Sequence, residues 1–295
     1  MAEKTGAGGQ LQTFDAETGR YSKEAGNNSA NSNKGYDSRD DFKQIIDRVN
    51  QVRSQNSGSD KSTHTPYLSD SNVDAIKSGK GLSDAEIEDV CTKLAKIYRP
   101  VKRGDEDTNL KAILSETGFT QTPKRLSKQD FIKQVQSGTI LYRGLYGDNA
   151  DKYAKYFYDG DMWVGTGFGG NGVYMSKDAN EASKYRHQDG AIVSAVMPAD
   201  FRIADDEVRK EYSDFKKKYD EKYKWAKTNS KEQNAENDKL RGALSYGVFC
   251  VLKGYDAYLP AVLPEKNVVI LNRGKLVIGE NNEQEKFIDF NERGI

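Results

Sequence analysis

The chain predicts an α+β protein, and three observations carry that expectation. Short β-type runs crowd the C-terminal half, capped amphipathic helices precede them, and strands and helices alternate too irregularly for a βαβ repeat. The 295 residues leave room for one or two domains. Hydrophobic residues make up 36% and mean hydropathy is −0.84, too polar for one dense core over the whole length. The polar excess gathers at the N-terminus.

Residues 1–37 are rich in Gly, Asn, Ser and Ala. Such a segment buries too little to offset its ordering entropy, so a disordered arm is expected. Within it, LQTFDAETGRY offers Leu11, Phe14 and Tyr21 for docking on a partner. Ser38 then opens SRDDFKQIIDRVNQV, with Asp41 at the capping-box position and Phe42, Ile45, Ile46, Val49 and Val52 on one stripe. An amphipathic helix over about 38–54 follows. Residues 53–80, rich in Ser, Asp and Lys, read as linker, so the whole arm spans 1–80.

The next start signal is stronger. Ser83 caps, Glu86 completes the box, Leu82 staples to Ile87, and Ile87, Val90, Leu94 and Ile97 continue the stripe to Pro100. A shorter helix covers Lys111–Leu114. RLSKQDFIKQVQSG repeats the grammar: Ser127 caps, Asp130 lies three on, Leu126 faces Phe131 and Gly138 ends the helix. These make a small helical subdomain over 81–137.

From residue 138 the runs TILYRGL, NGVYMS, AIVSAVM, GVFCVL and NVVILN are strand candidates. Between Asp205 and Asp238 the chain is highly charged, yet Val208, Tyr212, Phe215, Tyr219 and Tyr223 fall at three- and four-residue steps. That spacing predicts a helix packed on the sheet by its aromatics.

Several function classes recede. Lys+Arg 45 balances Asp+Glu 45, so no global field draws the chain to nucleic acid or membrane, and Lys216–Lys218 reads as a solvated helix face. No apolar run approaches the ~18 residues that span a bilayer, and MAEKTGAGGQLQTF lacks a signal-peptide core. A soluble protein made in a cytoplasm is expected. Cys91, Cys250, His64 and His187 share no ligand spacing, so neither a metal site nor a disulfide scaffold is expected.

Two places carry chemistry. In TILYRGL, Arg143 interrupts an apolar run and Gly144 follows it. A guanidinium fork suits phosphate, and glycine lets a ligand approach the main chain. In TGFGGNGVYMSKDANEASKY a glycine turn leads to Tyr174 in a strand, Ser176 as a helix cap, and Tyr185 on the helix. Two such tyrosines can clamp a flat heteroaromatic ring, each stacking contact contributing on the order of 1 kcal/mol. GFGGNG itself is no dinucleotide fingerprint, because it does not run from an apolar strand straight into a helix.

LYRG followed by GNGVYMSKDANEASKY resembles the first two signature elements of the ADP-ribosyltransferase superfamily. The poly-ADP-ribose polymerase branch carries His before the first glycine, whereas Arg143 is similar to the toxin-like branch. GYDAYLPAVLPEKNVVILNRGKLVI resembles the last strands of such domains, especially those encoded in phages and prophages. The likeness covers about 138–280 and implies a split antiparallel β-sheet core over 138–295, with NAD as substrate. By that likeness Arg143 holds the phosphates or adenosine ribose, and Gly144 pairs its backbone with the nicotinamide carboxamide. Tyr174 and Tyr185 sandwich the nicotinamide, and Ser176 orients a catalytic glutamate.

That chemistry needs a carboxylate beside an oxocarbenium-like ribose. The position before VVILN, where the polymerase branch has Glu, is Asn267, which supplies no charge. Glu265, two positions earlier, and Asp256 in GYDAY are the candidates. The expected activity is transfer of ADP-ribose to a protein or nucleic-acid acceptor, or to water. The alternative is a non-enzymatic, phage-associated structural or cargo protein whose arm docks on a larger assembly. Either is compatible with a virion-associated protein or one delivered into a host cell. A nucleic-acid binder fits poorly with the balanced charge.

Overall fold

A computed structural model describes residues 66–102, 105–145, 150–167, 170–185 and 190–280, together with three strands near the N-terminus. The chain divides into two units, Met1–His64 and Thr65–Ile295.

In the first unit, β1 (Glu3–Thr5), β2 (Leu11–Asp15) and β3 (Arg20–Lys23) form an antiparallel sheet with Phe14 opposite Tyr21 and Asp15 opposite Arg20. These three strands lie within the segment whose composition predicts a disordered arm. Composition averages over the Gly/Asn/Ser spacers, while LQTFD and RYSK each carry strand-forming residues that can pair locally. The helix expected at 38–54 lies outside the described residues.

The second unit begins with α1 (Asp70–Ser78) inside the stretch expected to be linker. Ser69 caps it by accepting from the Asn72 N–H, Gly79 ends it at φ +82°, and Ile76 is fully buried. Then come α2 (Asp84–Ala95) and α3 (Thr108–Glu116), followed by β4 (Lys124–Leu126) and α4 (Lys128–Ser137). The Ser83–Glu86 capping box forms as the sequence predicts, and Ser127 caps α4. Ile87, Leu94, Leu110 and Ile113 join the same buried cluster as the strand residues Leu141, Val173, Val193 and Val268. Phe131 of α4 packs on a smaller cluster with Val196 and Val277.

The remaining elements in order are β5 (Thr139–Leu145), α5 (Ala150–Asp159), β6 (Gly165–Gly167), β7 (Gly170–Ser176), α6 (Ala179–Ser183), β8 (Ala191–Met197) and β9 (Ile203–Ala204). After them come α7 (Asp206–Lys222), α8 (Lys231–Ala243), α9 (Tyr246–Leu252), β10 (Ala257–Tyr258), β11 (Asn267–Ile270), a 3-10 turn (Arg273–Lys275) and β12 (Val277–Gly279). The main sheet is mixed, in the order β4-β12-β8-β5-β7-β11-β10-β9 with β6 added to β7. Its parallel contacts lie at the margins, β4 with β12 and β9 with β10. Both edge strands are very short, which limits open backbone for another chain to pair with.

Two expectations need correction. GVFCVL, expected to be a strand, is the helix α9: Ser245 caps it, and Gly247 through Leu252 are all buried. A short apolar run has no periodicity to distinguish a buried strand from a buried helix. The aromatic stripe of α7 does face inward, but it meets α9 as well as the sheet margin. Tyr212 and Phe215 lie 5.3 and 5.7 Å from the Phe249 ring.

Candidate functional site

Strand β5 has two unlike flanks. Against β8 it keeps a seven-pair antiparallel ladder from Thr139↔Met197 to Leu145↔Ala191. Against β7 it keeps one pair, Tyr142↔Ser176. Continuing that register by two residues would set Gly144 opposite Tyr174, yet no pairing forms there. The sheet splits beside the two positions that the sequence singles out.

Splitting a ladder orphans backbone groups, and these need partners. Arg143 provides one: its Nη1 donates to the Tyr174 carbonyl at 3.0 Å, so a side chain spans the gap. Arg143 is half-buried, and desolvation of its guanidinium lowers its pKa from the usual arginine value. None of the described carboxylates forms an ion pair with it. A guanidinium has five N–H groups, and among the described residues one of them is engaged.

Tyr174 is half-buried on β7, and its hydroxyl donates to the Gly170 carbonyl at 2.7 Å. Gly167 of β6 lies on its ring: a Cβ there would stand 2.5 Å from the ring carbon Cε2. The glycines around Tyr174 therefore serve close packing. Gly170 and Gly172 also hold φ of +123° and +148°, a region other residues avoid.

The hairpin is tied down from outside the sheet. Thr166 bonds through its amide to the Asp105 carbonyl, at 3.0 Å, and through its hydroxyl to the Lys102 carbonyl, at 2.7 Å. The Asn171 amide donates to Asp107 Oδ2 at 2.6 Å, while Asp107 Oδ1 caps α3. The sequence gives no local sign of these anchors, because they join residues some sixty positions apart.

Ser176 is buried at the closed end of the split. Its hydroxyl donates to the Lys266 carbonyl at 3.1 Å and accepts from the Asp178 N–H at 3.1 Å. Asp178, not Ser176, caps α6, accepting from the Asn180 and Glu181 amides. Lys266 also pairs with Asp178 at 3.6 Å, and Asn267 lies opposite Ser176 in the ladder. Glu265 therefore sits exposed on a loop whose next residue is fastened to Ser176. That loop turns through Leu263 at φ +51°, strained for a branched residue and worth roughly 1–3 kcal/mol. Strain of this kind recurs at functional loops.

Helix α6 packs against both β5 and β7. Tyr185, just beyond it, is 61% exposed. Glu181, one helical turn earlier, is nearly buried and pairs with Lys184 at 2.7 Å. Sequence reasoning passed over this carboxylate, which no local motif marks.

Asp256 does not belong to this site. It lies beside Leu271 and Asn272, at the end of β11 away from Asn267, and is fully buried. Its carboxylate accepts from the Arg202 amide and guanidinium, from Asn272 and from Lys275. Burial raises its pKa, but those hydrogen bonds outweigh burial and hold it below the usual carboxylate value.

Among the described residues no cluster of three His, Cys, Asp or Glu side chains could hold a metal ion, and no helix is long and apolar enough to cross a membrane. No family model matches the chain, and neither a curated protein nor a solved structure matches it.

Proposed function

We propose that the β5–β7 split binds NAD and that the protein is an ADP-ribosyltransferase or NAD glycohydrolase. The acceptor is a protein, a nucleic acid or water. One observation carries the reading: the sheet opens where Gly144 and Tyr174 would otherwise pair, and Arg143 spans the opening with donors to spare. An opened ladder offers main-chain groups to a carboxamide, and a guanidinium with unspent N–H groups suits a pyrophosphate.

In the reaction, the bond from ribose C1′ to the nicotinamide nitrogen breaks and its electron pair leaves with nicotinamide. The acceptor oxygen or nitrogen bonds to C1′ and loses its proton. Positive charge grows on the ribose between these events, and the reading assigns its stabilisation to Glu265, with Ser176 fixing the loop that carries it. Tyr174 and Tyr185 close on the nicotinamide, with Gly167 close against the Tyr174 ring.

A second reading, a non-enzymatic structural or cargo protein associated with phage particles, is favoured by two observations. Asn267 stands where the resembled polymerase branch carries Glu, and Gly167 packs against the Tyr174 ring. Incubation with NAD and a cell lysate, followed by nicotinamide release and intact mass, separates the two. The enzyme reading expects nicotinamide and an ADP-ribosyl adduct or free ADP-ribose, reduced about 10²–10³-fold in Glu265→Gln. Absence of both turnover and NAD binding by calorimetry leaves the structural reading standing.

A further inference from the structure

A second concavity, of about 290 Å³, shares no residue with the split. Its wall comes from the last turn of α1 (Lys77), the turn after α3 (Thr117, Gly118, Gln121), the approach to β9 (Arg202) and the turn after β11 (Asn272, Lys275). Asp256 lies at its base, wholly buried.

The charge count is what calls for explanation. One buried carboxylate needs roughly one cation to offset its desolvation. Asp256 already has two: Arg202, through Nε and Nη2 at 3.0 and 3.1 Å, and Lys275, at 3.1 Å. Lys77 makes a third cation on the same wall, with no ion pair to any described carboxylate. Lys275 is fully engaged, because it also meets the carbonyl and carboxylate of Asp200 at 2.7 and 3.3 Å. Arg202 is not. Its Nη1 donates to the Ile76 carbonyl at 3.2 Å, which leaves a second hydrogen on each terminal nitrogen unspent. Asp256 thus fixes the Arg202 fork in place, and the fork and the lysine keep donors for something else.

We propose that this cavity is a binding site for a small phosphomonoester, its phosphate held by Lys77 and by the free N–H groups of Arg202. A doubly charged phosphate matches an arginine fork and a lysine. The cavity lies at the lower end of the range for small-molecule sites, so it has space for an organic moiety of sugar size beside the phosphate. The second N–H of Asn272 and the Gln121 amide supply polar contacts for hydroxyl groups. Gly274 also lines the cavity: a Cβ there would lie 3.0 Å from Gln121 Cβ and narrow the space.

Phosphorus NMR and calorimetry on the full chain at low salt test the site. The ligands are inorganic phosphate, glucose 6-phosphate and glucose. The two phosphates are expected to bind, glucose 6-phosphate more tightly, and glucose not at all. Lys77→Ala is expected to weaken both about tenfold or more, the usual effect of losing one charge-assisted hydrogen bond. Lys77 is exposed and supports no other residue, so this variant folds, which circular dichroism verifies. Lys80→Ala removes a nearby exposed lysine outside the cavity and is expected to leave binding unchanged. Failure of both phosphates to bind, or equal weakening by Lys77→Ala and Lys80→Ala, overturns the proposal. Tighter binding of inorganic phosphate than of the ester rejects the ester class.

Discussion

The two ends of β11 treat a carboxylate in opposite ways. At the C-terminal end, Asp256 is buried and accepts hydrogen bonds from Arg202, Asn272 and Lys275. At the N-terminal end, Glu265 stands exposed on a loop held by the Lys266 carbonyl and bent through a left-handed Leu263. Both residues qualify from sequence as the charge that glycosidic cleavage needs. Only the second keeps its charge uncommitted. A carboxylate whose lone pairs are all occupied holds the fold together, and one that must meet a developing cation has to keep them free. Arg143 makes one bond across the split, whereas Arg202 is fixed by Asp256 through Nε and Nη2 and keeps its remaining N–H groups.

The largest expected effect lies at the committed end. Asp256→Ala leaves Arg202 and Lys275 facing each other across an emptied, buried position. The expected loss is about 3–5 kcal/mol of unfolding free energy at neutral pH, read from denaturant melts. The pH dependence follows from the direction of the shift. The folded-state pKa of Asp256 lies below its unfolded value, so its stabilisation is complete above the unfolded value, about pH 4. It is lost as pH falls through the lower folded value. The gap between wild type and Asp256→Ala is therefore expected to narrow below about pH 4. A gap of constant size down to strong acid would show that Asp256 is not ionised in the folded chain.

A smaller effect is expected at the split. Arg143→Met removes the side-chain donor that reaches the Tyr174 carbonyl across the split. An unsatisfied, partly buried carbonyl costs about 1–3 kcal/mol. The local signature is specific: amide exchange should quicken in β7 and leave the β5–β8 ladder protected. Equal loosening of both flanks would mean that the split depends on the whole sheet and not on one side chain.

The contrast between these sites also marks how far the sequence could be read. Strands β5, β7, β8 and β11 and the caps at Ser83 and Ser127 were legible, because each depends on residues within a few positions of one another. Helix α1 carried a usable signal, Ser69 before it and Gly79 after it, that a Ser/Asp/Lys-rich composition obscured. Helix α9 carried none, since every position from Gly247 to Leu252 is buried and the run lacks a polar face. At the candidate site the residue types were legible and their engagements were not. The single pair between β5 and β7, the Asp107–Asn171 bond over the hairpin and the Arg202–Asp256 fork all join distant positions, and no local pattern encodes them. Which carboxylate is committed is therefore a tertiary property, invisible to a reading that weighs Glu265 and Asp256 by their neighbours in sequence.

The smallest expected effect on stability is the most informative about function. Glu265 is exposed and lies on a loop held by main-chain bonds from Lys266 and Asn267 to the Leu263 carbonyl, so Glu265→Gln leaves those bonds intact. Its unfolding free energy is expected to stay within about 0.5 kcal/mol of wild type. If the carboxylate serves the ribose, nicotinamide release in the same variant falls about 10²–10³-fold while NAD binding persists, because the charge is needed in the transition state more than in the ground state. Unchanged stability with unchanged release would leave Glu265 a surface residue and pass the role to Glu181, on the helix that packs against β5 and β7. A large loss of stability would instead place Glu265 with Asp256 among the groups that hold the fold, and the difference between the two ends of β11 would disappear.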